Sequence, residues 1–465
     1  MEAWIEVLGR MVWSPALLTL LLAAGLWFSL RSRFLQVRLL GPMCRLLVSG
    51  PRGEGVSPFQ AFCTALAGRV GTGNIVGTAA AILYGGPGAL FWMWVLAFFG
   101  AASAFAESTL AQLYRTRLTD GFCGGPAFYI ERGLGRRGYA AAFSVTALLS
   151  AGVLLPGVQS NAIARSLEEA FRLPVWAAGA VCAVLLGLLI CGGLRRIARA
   201  AELIVPVMAA AYLLCGVLVT AVHIREVGAA FALILSGAFG THAVYGGILG
   251  SAILWGVKRG VYANEAGQGT QAHAAAAAAV AHPAEQGLVQ ALGVYVDTFL
   301  ICTCTGLMLL LTDCYNVVGS DGAFLHRGAA AVADCTEAGP DFVQAALGTV
   351  LGPAGPAVIA LCLAFFAFTS LMNYYYQAEC NLVWLFRRPR LRTVGTAALR
   401  AAILAITFAA AGMGADAVWA LGDLGAGAMA WLNVIAILLL QGPAFSALRD
   451  YERHIDGKPL RWVFR

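Results

Sequence analysis

Eleven apolar stretches recur along the 465 residues, at 12–30, 60–84, 88–112, 139–163, 174–194, 201–222, 246–281, 287–312, 353–386, 395–413 and 418–441. A helix that crosses a bilayer needs about 20 mostly apolar residues, and these runs meet that length at regular spacing. Their repetition leaves little choice of fold. In hydrocarbon each backbone N–H and C=O must be satisfied within the protein, so such runs form membrane-crossing helices. Composition agrees, with 60% hydrophobic and 12% charged residues, against roughly a quarter charged in soluble domains. The chain is expected to be an all-α integral membrane protein with 11 transmembrane helices in one domain over 1–465. The first stretch follows Glu2 and Glu6 rather than a basic run, and no small-residue cleavage site follows it. It is expected to be a retained helix and not a signal peptide.

The formal charge of +7 does not point to nucleic acid, because the arginines sit in short loops between apolar runs rather than on one face. They report orientation instead. Assigning alternate loops to opposite sides puts 22 of the 31 Lys and Arg on one side and five on the other. Basic loops face the cytoplasm, so the N-terminus is expected outside and the C-terminus inside. Twelve cysteines lie mostly in apolar runs without CxxC spacing, which argues for small core residues rather than metal or redox chemistry. Cys314 and Cys335 share the longest outside loop, 313–352. An oxidising compartment there would allow a disulfide, and two free thiols are the alternative.

Stretches two and seven stand apart, each with glycine and polar residues in its middle: RVGTGNIVG at 69–77 and NEAGQGT at 264–270. They lie five stretches apart. Many secondary transporters consist of two inverted five-helix repeats whose first helices are unwound at the membrane midplane, where half-helix ends bind substrate and ion. Stretches two to six and seven to eleven fit a 5+5 inverted repeat with two discontinuous helices, leaving stretch one as a peripheral N-terminal helix.

Gly71, Gly73 and Gly77 each weaken a helix by about 1 kcal/mol relative to alanine, so stretch two is expected to open near them. The amides of Thr72 and Gly73 would then begin a half-helix whose positive end suits a carboxylate. The carbonyls of Ala67 and Val70 would end the other half and suit a cation. Close helix packing through small residues is the alternative, although Asn74 adds a polar group that packing does not need. In stretch seven, Gly267 and Gly269 loosen the helix, and Asn264, Glu265, Gln268 and Thr270 supply polar groups. Lys258 and Arg259 upstream leave open a cytoplasmic loop after a shorter helix.

Stretch nine carries FFAFTSLMNYYYQAE, where the hydroxyls of Thr369 and Ser370 stand one turn from the carbonyls of Ala364 to Phe366. Hydroxyl and carbonyl oxygens form a hard-ligand cage suited to sodium. The competing reading has both hydroxyls bonding back to their own helix. Asn373 and Tyr374 follow, and the aromatic ring would wall a small pocket. Glu107, Glu202, Asp297 and Glu379 lie in or near apolar runs, where ionisable groups are expensive and point to function unless an arginine pairs them. Glu107 is expected to hydrogen-bond the broken part of stretch two, and Arg69 to act as a counter-charge for one of the acids. Gln159 follows Pro156 and Gly157, an expected helix irregularity that would turn its amide toward a cavity. The six histidines form no ligand spacing, and no HExxH, nucleophile elbow or GxxxxGK loop is present. An ATP-driven pump or membrane protease is thereby disfavoured, and a secondary transporter remains.

ALAGRVGTGNIVGTAAAI at 65–82, GGPGALFWMW at 85–94, AESTLAQLYR at 106–115 and GGPAFYI at 124–130 resemble successive blocks of the alanine or glycine:cation symporters. So do RGVYANEAGQGTQAHAAA at 259–276, HPAEQGLVQ at 282–290, DTFLICTCTGL at 297–307 and FAFTSL at 366–371. The resemblance implies the leucine-transporter fold, a bacterial-type plasma membrane, and import of a small neutral amino acid with co-transported sodium. It also implies that NEAGQGT is the second break. Carried over, the substrate groups are Thr72 and Gly73 for the carboxylate, Gln159 and Asn264 for the amino end, and Ser370 and Tyr374 for the pocket wall; Asn74, next to Gly73, is counted with the substrate-binding residues. The sodium ligands are Ala67, Val70, Phe366, Thr369 and Ser370. Two departures bear on specificity: the family usually has tryptophan at Tyr374, and LLPGVQ replaces a GNMVQ-like stretch before Gln159. A smaller aromatic would admit a side chain larger than that of alanine, so a small to medium neutral amino acid is expected. Two other functions fit the residues. One is a proton-coupled carrier of the same fold using Glu107 or Glu265, and the other a channel-like or receptor-like protein that binds the ligand without coupled flux.

Overall fold

The computed structural model describes residues 2–52, 55–118, 121–240 and 248–455. Lys458, Arg461 and Arg465 of the basic C-terminal group, and the first two residues of stretch seven, lie outside them. Eight of the expected stretches coincide with helices long and apolar enough to cross a membrane: Val7–Arg31, Gly88–Leu113, Arg137–Phe171, Arg195–Val222, Pro283–Leu311, Ala354–Leu385, Pro389–Ala410 and Ala415–Leu439. Stretch five is the shorter helix Val175–Ile190, and stretches two and seven are interrupted.

In chain order the helices that position the site are α1 (Pro58–Arg69) and α2 (Thr78–Gly85), the halves of stretch two, followed by α3 (Gly88–Leu113). Stretch four is α4 (Arg137–Leu149) continued by α5 (Leu155–Phe171), and stretch six is α6 (Gly193–Val222). Stretch seven comprises α7 (Leu249–Asn264) and α8 (Gln271–Ala277). Stretch eight runs as α9 (Pro283–Tyr295) and α10 (Thr303–Leu311), stretch nine is α11 (Ala354–Leu385), and stretch eleven is α12 (Ala415–Leu439). Helix α3 packs against α7, α8 and α9 and against the N-terminal helix. Small residues permit the close approach: a Cβ on Gly256 of α7 would stand 2.5 Å from the Ala89 carbonyl of α3.

Helix α1 begins with a capping box, in which Ser57 Oγ accepts from the Gln60 amide at 3.0 Å and Gln60 Oε1 accepts from the Ser57 amide at 3.0 Å. Val56 pairs with the chain leaving α8: its amide donates to Ala277 O at 3.1 Å, and its carbonyl accepts from the Ala279 amide at 2.8 Å. One end of each broken stretch is thereby joined to the other.

The structure departs from expectation in several places. The region 313–352 is no plain loop, since it contains a two-stranded ribbon, Val317–Val318 with Phe324–His326, and a helix, Asp341–Leu351. Cys314 and Cys335 are free thiols, the Cys314 Sγ donating to the Thr312 carbonyl at 3.6 Å. Helices Val227–Ala238 and Gln441–Ile455 were not foreseen; the first is too short, and the second too polar, to read as a span. The irregularity expected at Pro156 and Gly157 lies one turn earlier, in a π-helical turn over Ser150–Leu154. Pro156 then falls in the first turn of α5, where a missing N–H is tolerated.

Candidate functional site

Stretch two opens where Val70 leaves helical geometry, with φ −77° and ψ 92°, before a π-helical turn over Gly73–Gly77 leads into α2. Gly71 is required here by space. A Cβ would stand 2.4 Å from Ser370 Oγ and 3.0 Å from Gln159 Oε1, so the backbone of stretch two, α11 and α5 meet at this residue. Stretch seven opens differently, through left-handed backbone: Glu265, Gly267 and Gly269 have φ of 56°, 84° and 83°. The glycines adopt that region without the Cβ penalty that Glu265 carries.

At the end of α1 the expected ion ligands come together. Ser370 Oγ donates to Ala67 O at 3.0 Å and lies 3.1 Å from Phe366 O, and Thr369 Oγ1 donates to Phe366 O at 2.9 Å. Thr369 and Ser370 are fully buried. Two carbonyls and two hydroxyls thus converge between α1 and α11, a hard-oxygen set fit for a small monovalent cation. Val70 caps the same helix end. Both hydroxyls bond back to Phe366 O on their own helix, and Ser370 in addition reaches across to Ala67 O of another.

On the other side of the break, the Thr72 amide donates to Gln159 Oε1 at 3.2 Å, and Gln159 Nε2 stands 3.5 Å from the Tyr374 hydroxyl. Gly73 packs against Tyr262, whose ring would lie 3.2 Å from a Cβ there. Thr72, Gly73, Gln159, Ser370 and Tyr374 therefore surround one position, all buried. Tyr262 was not expected at the site. Its ring also packs against Trp419, centroids 5.1 Å apart and planes tilted by 43°. Above that pair, Arg259 forms a two-pronged ion pair with Asp423 at 2.9 and 3.0 Å. A cavity of about 770 Å³ lies beyond, lined by Val76, Trp419, Asn161, Arg165 and Glu169 among others.

Asn74 and Asn264 serve their own breaks. Asn74 Oδ1 accepts from the Gly71 amide at 2.9 Å and its Nδ2 donates to Asp297 Oδ1 at 2.6 Å. Asn264 Oδ1 accepts from the Ala266 amide at 3.0 Å and its Nδ2 donates to Thr298 Oγ1 at 3.2 Å. Thr298 in turn donates to Asp297 Oδ2 at 3.0 Å. A continuous chain of side chains therefore links the two breaks through a π-helical turn, Val296–Cys302, in stretch eight. Asp297, recognised in the sequence only as a buried acid, is its centre. The wide turn lets the consecutive residues Asp297 and Thr298 both face inward.

Glu107 corrects the expectation set for it, because it holds the break of stretch seven and not that of stretch two. It accepts from the amides of Gly267 at 3.4 Å and Gly269 at 3.0 Å, from Asn433 Nδ2 at 2.6 Å, and from Gln271 Nε2. The left-handed glycines turn their N–H groups toward α3, and a carboxylate satisfies several at once. Gln271 and Asn433 lack any signal in the sequence that separates them from ordinary buried amides. Arg69 is buried at the end of α1 with Nη1 donating to Gln290 O at 3.1 Å. Glu202 and Glu379 take Gln60 and Tyr375 as partners at 2.8 and 3.0 Å and stand apart from the site.

Two broken helices, one ending against buried carbonyl and hydroxyl oxygens and joined to the other by buried polar side chains, have the discontinuous-helix arrangement of multi-pass membrane transporters. The sequence profile of the sodium:alanine symporter family matches residues 1–461, and the chain belongs to that family. A sodium/proton-dependent alanine carrier protein of Bacillus sp. strain PS3 is 47% identical over 90% of this chain and 93% of its own length. A sodium/alanine symporter of Methanococcus maripaludis is 36% identical over 96% of each chain. Among solved structures, MhsT in complex with L-phenylalanine matches with a TM-score of 0.51 at 14% identity, covering 85% of this chain and all of that one. That likeness bears on the fold alone.

Proposed function

We propose that this protein imports a small to medium neutral amino acid, alanine-like in size, together with sodium across a bacterial-type plasma membrane. The observation that carries the reading is Ser370, whose hydroxyl joins the Ala67 carbonyl of broken stretch two to the Phe366 carbonyl of α11. A cation held by Ala67, Val70, Phe366, Thr369 and Ser370 fixes the end of α1, and so fixes the amides of Thr72 and Gly73 where a carboxylate docks. Gln159 Oε1, which now accepts from the Thr72 amide, then turns to the amino group of the substrate. Coupling is thermodynamic linkage: each ligand raises the affinity of the other by the same factor.

The architecture proposed for this cycle has 11 crossings, with stretches two to six and seven to eleven as inverted repeats, the N-terminus outside and the C-terminus in the cytoplasm. Rocking of the bundle containing the broken helices alternates access. In this reading the Tyr262–Trp419 contact and the Arg259–Asp423 pair close the outer route. The family relatives described as sodium/alanine and sodium/proton-dependent alanine carriers support the substrate class.

The test is concentrative uptake of labelled alanine driven by an imposed sodium gradient at fixed pH, with every neutral amino acid as competitor. Thr369→Ala with Ser370→Ala abolishes it if the reading holds. Uptake confined to glycine, with larger residues unable to compete, would reject the substrate range. Proton coupling is the second reading, favoured by the full burial of Glu265 and Asp297 beside the breaks. Uptake that follows a pH gradient and ignores sodium would select it.

A further inference from the structure

Helix α11 places Thr369, Asn373, Gln377 and Asn381 at four-residue spacing, one above another on a single face, and all are buried. The two ends of this row are satisfied. Thr369 belongs to the oxygen cage, and Asn381 Nδ2 donates to the Gln377 carbonyl at 2.9 Å and meets His273 Nε2 at 2.9 Å. The middle is not satisfied: among the described residues, both amide atoms of Asn373 and both of Gln377 have no hydrogen-bond partner, and each residue is 1% exposed. A buried polar atom left unpaired costs roughly 1–3 kcal/mol, so four in adjacent turns mark a place built to receive water or an ion.

What surrounds Asn373 selects the ion. A Cβ on Gly68 would lie 2.0 Å from Asn373 Nδ2 and 3.3 Å from Glu265 Oε2, so the amide and the carboxylate stand over the same glycine. The Gly68 carbonyl lies 3.5 Å from Ser370 Oγ, which places this spot directly against the cage. The two ends of an amide are nearly isosteric, and a half-turn about χ2 presents Oδ1 where Nδ2 now sits. Amide oxygen, backbone carbonyl and carboxylate are ligands for a hard cation.

We infer that Asn373, Glu265 and the Gly68 carbonyl form a second, transient sodium subsite one turn from the cage, with Gln377 next along the row, and that sodium leaves toward the cytoplasm through it. This rests on the proposed cage and orientation. Arg69, adjacent to Gly68 and buried, keeps the subsite weak by opposing a second positive charge. A relay must bind well enough to be entered and weakly enough to be left. Glycine at position 68 is then a requirement of the passage, because any side chain there would fill it.

The test uses the full-length protein in proteoliposomes with labelled alanine and ²²Na⁺. Asn373→Ala is expected to leave the sodium concentration for half-maximal alanine binding within about twofold and to retain alanine exchange at saturating sodium on both sides. Net alanine-driven ²²Na⁺ entry into a sodium-free lumen is expected to fall about tenfold. Gln377→Ala is expected to act in the same direction less strongly, and Asn373→Ser, which keeps an oxygen, to retain more than half of the net flux. Net flux within twofold of wild type in Asn373→Ala overturns the subsite and leaves the unpaired amides to water. Binding and exchange that fall in step with net flux overturn it equally, by making Asn373 a structural or substrate contact. Alanine binding in the wild-type protein that ignores sodium would remove the cage itself, a failure separate from that of the subsite.

Discussion

Gly71 concentrates the site in a residue without a side chain. Its importance lies in what surrounds it, since a Cβ would meet Ser370 Oγ and Gln159 Oε1, one from each proposed ligand site. Gly71→Ala is expected to raise the sodium concentration for half-maximal alanine uptake about tenfold, equivalent to roughly 1.4 kcal/mol of lost ion binding. A sodium titration of uptake measures it. Glu107 is the opposite case, a large charged side chain whose work is local. Glu107→Ala leaves the Gly267 and Gly269 amides and Gln271 Nε2 without their acceptor in a dry place, at about 1–3 kcal/mol for each buried donor. A lowered unfolding temperature of the detergent-purified protein, with expression retained at reduced yield, is the expected outcome. The sequence marked both residues. It misassigned the break that Glu107 serves, because nothing in a run such as AESTLAQ says which of two glycine-rich segments will lie against it.

The two broken helices open by different means, and only one means is written locally. Gly267 and Gly269 supply positive φ, which the residue type announces, whereas stretch two opens at an extended Val70 and a crowded Gly71, which depends on α11 and α5 being present. Between them the polar chain from Asn74 through Asp297 and Thr298 to Asn264 ties one opening to the other. Asp297→Ala removes the centre and leaves Asn74 Nδ2 with only the weak Cys302 sulfur acceptor at 3.3 Å. It is expected to lower alanine affinity at least about tenfold. Thr298→Val, which keeps the bond from Asn74 to Asp297, is expected to lower it less. Equilibrium binding of labelled alanine to the purified variants separates the two. If the losses were equal, the chain would not act through Asp297. The π-helical turn in stretch eight was illegible, and that in stretch four was foreseen only as an irregularity one turn away, because an inserted residue in a helix depends on neighbouring helices and leaves no periodic mark of its own.

For the whole molecule, the proposed orientation assigns Cys335 to the outside and the exposed Cys44 and Cys191 to the cytoplasm. A membrane-impermeant maleimide applied to intact cells should therefore modify Cys335 and spare the other two until the cells are opened. Labelling at Cys44 before lysis would invert the topology. Partial burial, then the nearby charges of Asp341 and Asp334, push the Cys335 thiol above its ordinary range. The thiolate is the reactive form and is scarcer at neutral pH when the pKa is raised, so the rate of modification should climb as pH rises through the alkaline range. The pairing of Val56 with Ala277 and Ala279 joins the entry of stretch two to the exit of stretch seven, so that in the proposed cycle those ends move as one body.

Hydrophobic length alone placed the eight long spans, and glycine clustered with polar residues located both interruptions, because each is a local property of the chain. The oxygen set around Ala67, Phe366, Thr369 and Ser370 was also legible, as carbonyls at a helix break and hydroxyls on one turn are close in sequence within each half. Which partner each buried polar group takes was decided only by the packed bundle. Glu107 chose stretch seven, Asp297 became a bridge, Tyr262 and Trp419 came over the site, and Asn373 with Gln377 were left unpaired beside the cage. In a low-dielectric interior a polar side chain is worth what its neighbours make of it, and neighbours from distant stretches exist only once the helices are assembled.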